Sequence, residues 1–277
     1  MSETVPEALD LVDIGVNLAD DCFDADREAV ITRAVEAGVG QMILTGTTEA
    51  ESEAVLRLAE QYPGVCYATA GIHPHYAKDY AASSLKTLKS LCLQPAVCAV
   101  GETGLDFNRN FSLPEQQEQA FAAQIELAAE LAMPLFVHER DAGQRVFEML
   151  KHYRDHFPEA VVHCFTAEKR DLYRYLDLDL HIGITGWVCD ERRGAHLIPL
   201  LSEIPPGRLM LETDAPYLMP RDLKPKPKTR RNEPVNLVHI CQRIAAHLNI
   251  APQQLAAQTS ANARRFFSLP GIQDANV

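Results

Sequence analysis

Glu102, His138, His163 and Asp214 each stand at the end of a separate short apolar run. Two imidazoles and two carboxylates form a donor set for one or two divalent cations, with positions left for water and substrate. Taken singly, such a histidine is more often a structural residue, and such an acid often caps the helix that follows. Convergence of all of them on one rim fits that explanation poorly, so metal binding is the stronger reading. His73, within GIHPH, ends a further run and is placed to orient a phosphate or a ligating carboxylate. His75, His152, His156, His181, His196, His239 and His247 are read as structural or solvent-facing. Cys164 directly follows His163, so in a strand the two would point to opposite faces, which disfavours a cysteine nucleophile. The chain has neither a G-x-S-x-G element nor a phosphate-cradling glycine loop.

These residues need elements to hold them. Eight stretches read as buried strands, beginning at Leu11, Val39, Val65, Val97, Pro134, Ala160, Leu180 and Leu209. Helical patterns lie between them, clearest over Pro114 to Leu131, where Phe121, Ile125, Ala128 and Ala132 share a face. Strand and helix alternating eight times predicts the α/β class and either an open doubly wound sheet or a closed (β/α)8 TIM barrel. Nearly every run ends in a distinctive polar residue: Asn17, Thr45, His73, Glu102, His138, His163, Thr185 and Asp214. An open sheet collects its ligands at one switch point, whereas a barrel brings all its strand ends around one mouth. The single-domain barrel is therefore preferred, spanning 11–268 after a flexible 1–10 extension, with short C-terminal helices and a frayed tail at 269–277.

The 277 residues carry 38 acids against 26 Lys and Arg, a net charge of −12 that at first argues against a polyanion partner. The balance is local, however. Between Arg221 and Arg231, RDLKPKPKTRR holds six basic residues and one acid. That loop, including Lys226, Lys228, Arg230 and Arg231, should leave the eighth strand end, and Arg192 and Arg193 should follow the seventh. Both then border the mouth as a candidate single-strand-binding rim. Trp187 beside them either packs in the core or stacks a base. No apolar run approaches the ~20 residues needed to span a bilayer, and the acidic N-terminus is not a signal peptide. Seven cysteines without a C-x-x-C pair suit a reducing, cytoplasmic setting.

At AGIHPH (Ala70), GETGLDFNRNFS (Gly101), MPLFVHERDA (Met133), VVHCFTA (Val161), GITGWVCDERRG (Gly183), LETDAPYL (Leu211) and RRNEP (Arg230), the chain resembles the TatD family of metal-dependent deoxyribonucleases, within the amidohydrolase-like barrels. The resemblance runs from Asp13 to about Phe267. It implies ligation by Glu102, His138 and His163, with Asp214 as ligand or as the base orienting water. It also implies a Mg2+-dependent 3′ to 5′ exonuclease on single-stranded DNA and RNA, monomeric, serving DNA repair or nucleic-acid degradation. Imidazole donors suit Mn2+ or Zn2+ better than Mg2+. Most of the family begins with D-x-H-x-H; here Asp13-Ile14-Gly15-Val16-Asn17 lacks both histidines. Two rival readings are a small-molecule amidohydrolase or phosphoesterase on the same barrel, and a non-catalytic barrel with a decayed metal site.

Overall fold

A computed structural model describes residues 9–271. Its strands are β1 (Leu11–Val16), β2 (Val39–Leu44), β3 (Cys66–Ala70), β4 (Val97–Asp106), β5 (Leu135–Arg140), β6 (Ala160–Val162), β7 (His181–Ile184) and β8 (Leu209–Leu211). They form one eight-stranded sheet in sequential order, every neighbouring pair parallel. Helices α1 (Arg27–Glu36), α2 (Glu49–Gln61), α3 (Ala82–Cys92), α4 (Pro114–Leu131), α5 (Gly143–His152) and α6 (Lys169–Asp177) follow the first six strands, and α7 (Leu237–Leu248) and α8 (Pro252–Phe267) follow the last. This is the expected barrel. No described helix is long and apolar enough to cross a membrane.

The seam between β8 and β1 is held differently from the other pairs. A single parallel bridge joins Val16 to Ala215, and Asp214 N–H donates to the Gly15 carbonyl at 2.9 Å. The buried Asp13 carboxylate completes the closure, accepting from Thr213 N–H at 2.9 Å and from its hydroxyl at 2.6 Å.

Strand alternation divides the core into two layers. Residues facing outward, such as Leu135 and Val137 of β5, pack under the helices. Those facing inward, Val12, Ile14, Ile43, Ala99, Phe136, Val161 and Met210, fill the interior with Ala263, Phe266 and Phe267 of α8. The interior is thus apolar below, and its next layer up presents the polar chemistry. Phe136 and His138, Val161 and His163, and Met210 and Glu212 are each two residues apart along the chain, which puts each polar residue above an apolar one.

Several expectations are corrected. No α-helix joins β7 to β8; three 3-10 turns do so, at Gly186–Cys189, Ile198–Glu203 and Pro206–Arg208. Pro199, Pro205 and Pro206 remove the amide donors that a continuous helix would need there. Ala132 is not on the α4 face but is its left-handed cap, at φ 51°. The C-terminal segment is one 16-residue helix rather than several short ones. Leu269, expected in a frayed tail, is buried, and the Pro270 carbonyl accepts from the Gln41 amide at 3.0 Å. Asp10, expected in a flexible extension, pairs with Arg264 at 2.5 Å. The rest of both terminal segments lies outside the described residues.

Candidate active site

The C-terminal ends of the strands enclose a cup of about 510 Å³ lined by Asn17, Thr45, His73, Glu102, His138, His163 and Asp214 among others. Thr185, expected there, is instead buried, and its hydroxyl caps the following turn by accepting from Trp187 N–H at 3.2 Å.

Glu102 is the hub of the cup. Its Oε1 lies 2.8 Å from His163 Nε2, 2.9 Å from His138 Nδ1 and 3.3 Å from His73 Nε2. Burial alone would raise this carboxyl, but the imidazoles of His73 and His163, with hydrogen bonds from His138 and His163, outweigh it and hold it well below the usual range. The histidines respond according to what surrounds each. Burial pulls His73 down to about 4. In His163 burial is overcome by the charges of Glu102 and Glu212, and in His138 by the neighbouring carboxylates of Asp106 and Glu102, so both move up.

These residues fit a cation. Donor atoms of His73, Glu102 and His138 all lie within 4.8 Å of one another. Three imidazole nitrogens crowd one carboxylate oxygen, an arrangement a cation among them would relieve. His138 Nε2 is buried without a hydrogen-bond partner, since Asp106 Oδ2 at 3.5 Å is too far to serve. The tight group therefore includes His73, for which the expectation was an orienting role. His163 joins it through Glu102, and Asp214 lines the same cup outside the group. Asn17 Nδ2 donates to Asp214 Oδ1 at 3.1 Å, and burial, followed by the negative charges of Glu102 and Glu212, pushes that carboxyl up to about 7.

Three residues of the site were missed from the sequence. His75, read as structural or solvent-facing, lines the cup with Nε2 at 2.6 Å from Asp106 Oδ2. Asp106 itself was not singled out. Glu212, fully buried, holds His163 Nδ1 at 3.2 Å and accepts from Cys164 N–H at 2.5 Å. The available signal was a spacing of two or four from a residue already chosen: His73 and His75, Glu102 and Asp106, Glu212 and Asp214. Cys164 is also corrected. β6 ends at Val162 and Cys164 adopts φ 48°, so it lines the same cup as His163 rather than facing away. Burial drives its thiol well above the ordinary value, with Asp214 and Glu212 adding to the effect, so it remains a poor nucleophile.

A second cavity, of about 720 Å³, adjoins the cup and shares Trp187, Arg193 and Leu218 with it. Arg192, Lys226, Lys228 and Arg230 line it, all exposed. Trp187 is half-buried, with the guanidinium of Arg193 5.8 Å from the centre of its ring. Arg231 does not belong to this group. Its guanidinium bonds Asp26 at 2.7 Å and Glu233 at 2.8 Å and stacks over Phe23, so it is committed to the scaffold.

The sequence profile of a family described as TatD related DNase matches residues 12–268. A protein of Salmonella typhimurium named 3'-5' ssDNA/RNA exonuclease TatD is 52% identical over 94% of this chain and 99% of its own length. One of the same name from Erwinia billingiae is 52% identical over 94% of this chain and all of its own. Among solved structures, the TatD homologue YJJV of Escherichia coli superposes with a TM-score of 0.85 at 27% identity, covering 94% of this chain and 98% of that one.

Proposed function

Because the chain belongs to the TatD related DNase family, we propose that it is a divalent-metal-dependent 3′ to 5′ exonuclease that hydrolyses phosphodiester bonds in single-stranded DNA and RNA. The observation that carries this reading is the convergence of three imidazoles on Glu102 at the floor of a cup that opens into a basic cavity. The polarity and the choice of nucleic acid come from the names of the relatives.

His73, Glu102 and His138, with His163, are the residues that would hold the cation. When bound, it supplies Lewis acidity toward the scissile phosphate and lowers the pKa of water. Mg2+ is the ion in our reading, and Mn2+ the substitute that the imidazole donors favour. Asp214 takes the proton of the attacking water: a carboxyl raised to about 7 is a stronger base than an ordinary one and is still substantially ionised at neutral pH. Arg192, Arg193, Lys226, Lys228 and Arg230 bind the phosphates of the upstream strand, and Trp187 offers a face on which a base can stack. The cup's volume lies in the range of about 300–1,000 Å³ typical of small-molecule sites, which suits a chain end rather than a duplex. We further place the protein as a monomer in the cytoplasm, in DNA repair or nucleic-acid turnover; its seven cysteines are free thiols, which suits a reducing compartment.

The test is digestion of end-labelled single-stranded oligonucleotides in Mg2+. The wild-type protein should release mononucleotides from the 3′ end, and Glu102→Ala should fall to background with an unchanged circular dichroism spectrum. Digestion by Glu102→Ala at the wild-type rate would overturn the assignment.

A further inference from the structure

Away from the cup, the structure gathers another set of donors. Cys189 closes the 3-10 turn after β7, Asp222 opens the basic loop after β8, and His239 lies in the first turn of α7. One donor atom from each lies within 4.8 Å of the other two. We propose that Cys189, Asp222 and His239 form a second metal site, structural in role and of zinc-type chemistry, at the root of the two loops that wall the basic cavity.

The donor types select the ion. A thiolate, an imidazole and a carboxylate suit Zn2+ or Co2+ in tetrahedral geometry, whereas Mg2+ and Ca2+ prefer oxygen alone. Cys189 is buried, while Asp222 and His239 are partly exposed, so a fourth position can be filled by water and an ion can enter from solvent. Two of the three donors can be anionic. Coordination transfers the Cys189 proton to solvent, and the resulting thiolate and the Asp222 carboxylate, the latter shared with Arg243, set two negative charges against the dication. Burial holds the thiol up at about 12, so Cys189 is neutral until an ion displaces its proton.

The surroundings pre-arrange these donors. His239 Nε2 lies 2.7 Å from Asp222 Oδ1, and Arg243, one turn further along α7, holds the other carboxylate oxygen at 2.7 Å. A metal would replace the first contact and leave the second in place. Occupancy would staple the β7 turn, the β8 loop and α7 together. The neighbours of its ligands, Asp190 and Arg221, line the basic cavity, so the staple would stiffen that wall. That consequence for strand binding rests on the nuclease reading; the site itself does not.

The metal-free full chain should be titrated with Co2+ alone and followed by the near-ultraviolet thiolate-to-cobalt charge-transfer band, a readout independent of digestion. The expected result is a band that saturates with one Co2+ bound at this site beyond what the catalytic cup takes up, retained in Cys164→Ser, whose thiol lies in that cup, and lost in Cys189→Ser. His239→Gln, which leaves the thiol in place and so remains informative if Cys189→Ser does not fold, should weaken Co2+ binding at this site at least tenfold. Absence of the band in the wild-type protein, its survival in Cys189→Ser, or unchanged affinity in His239→Gln would overturn the proposal.

Discussion

A side chain at position 15 would collide with Glu212: a Cβ built on Gly15 would lie 2.4 Å from Glu212 Oε2, and one on Gly183 would lie 2.5 Å from Oε1. The two glycines make room for a buried carboxylate that fixes the ring of His163 through Nδ1 and leaves Nε2 facing Glu102. Gly15→Ala should therefore displace Glu212 and lower both activity and apparent metal affinity by about 10–100-fold, the usual effect of losing a partner that orients a ligand. Steady-state rates measured across a Mg2+ titration check this, and an unchanged metal dependence would remove Glu212 from the positioning role. In the sequence, Gly15 read only as a missing histidine. Its physical reason lies in Glu212, nearly 200 residues away, and no local pattern carries a contact of that range. By contrast, Glu102, His138, His163 and Asp214 stood out in the sequence because each closes a short apolar run, where a buried polar residue is costly without a partner.

The basic loop read as one uniform run, but the fold divides it. Lys226, Lys228 and Arg230 line the cavity beside Trp187, as does Arg221 while paired with Asp190 and Glu191 at 3.6 and 3.7 Å, whereas Arg231 anchors the loop to α1's cap residue Asp26. The double charge reversal Lys226→Glu and Lys228→Glu should weaken single-strand binding and flatten its salt dependence, by about 0.7 in the log–log slope for each phosphate no longer neutralised. Arg231→Met should leave that slope unchanged and lower stability, because Asp26 and Glu233 lose one of the two guanidinium groups that hold them, Arg33 remaining as the other. Fluorescence-anisotropy titrations across a salt series, alongside urea unfolding, separate the two; a slope change in Arg231→Met would mean that it touches the strand. The division was invisible beforehand because composition records charge and not the partner each charge finds. The missing helix between β7 and β8 was similarly obscured by the regular spacing of the strands, although the prolines that forbid it were in view.

At the scale of the molecule, the barrel is closed by its extremities. α8 plugs the interior with Phe266 and Phe267, and its Ser260 accepts from Val12 N–H at 3.1 Å and donates to the Asp10 carbonyl at 2.9 Å. At the same end, His181 of β7 is fully buried with its ring 5.0 Å from that of Phe266. Burial, helped by the positive charges of Arg208 and Arg265, pulls this imidazole down to about 4 from an ordinary value of 6.5. Between those values the unfolded chain binds a proton that the folded one refuses, so stability should fall as pH drops from about 6.5 toward 4, by up to about 1.4 kcal/mol per unit. His181→Gln should flatten urea-unfolding free energies measured through that window; an unaltered pH dependence would assign the effect to other groups. The barrel itself was legible in the alternation of strand and helix together with the polar residue that ends nearly every apolar run, but its means of closure was not, because it joins the two ends of the sequence. This has a consequence for biosynthesis. β1, the first strand made, finds its neighbour on one side only when β8 arrives, and the interior stays open at the bottom until residue 267 has left the ribosome. Until β8 has been made, β1 and the last strand completed have no partner on their outer sides, the form most exposed to wrong pairing; β8 removes those edges and α8 then fills the interior.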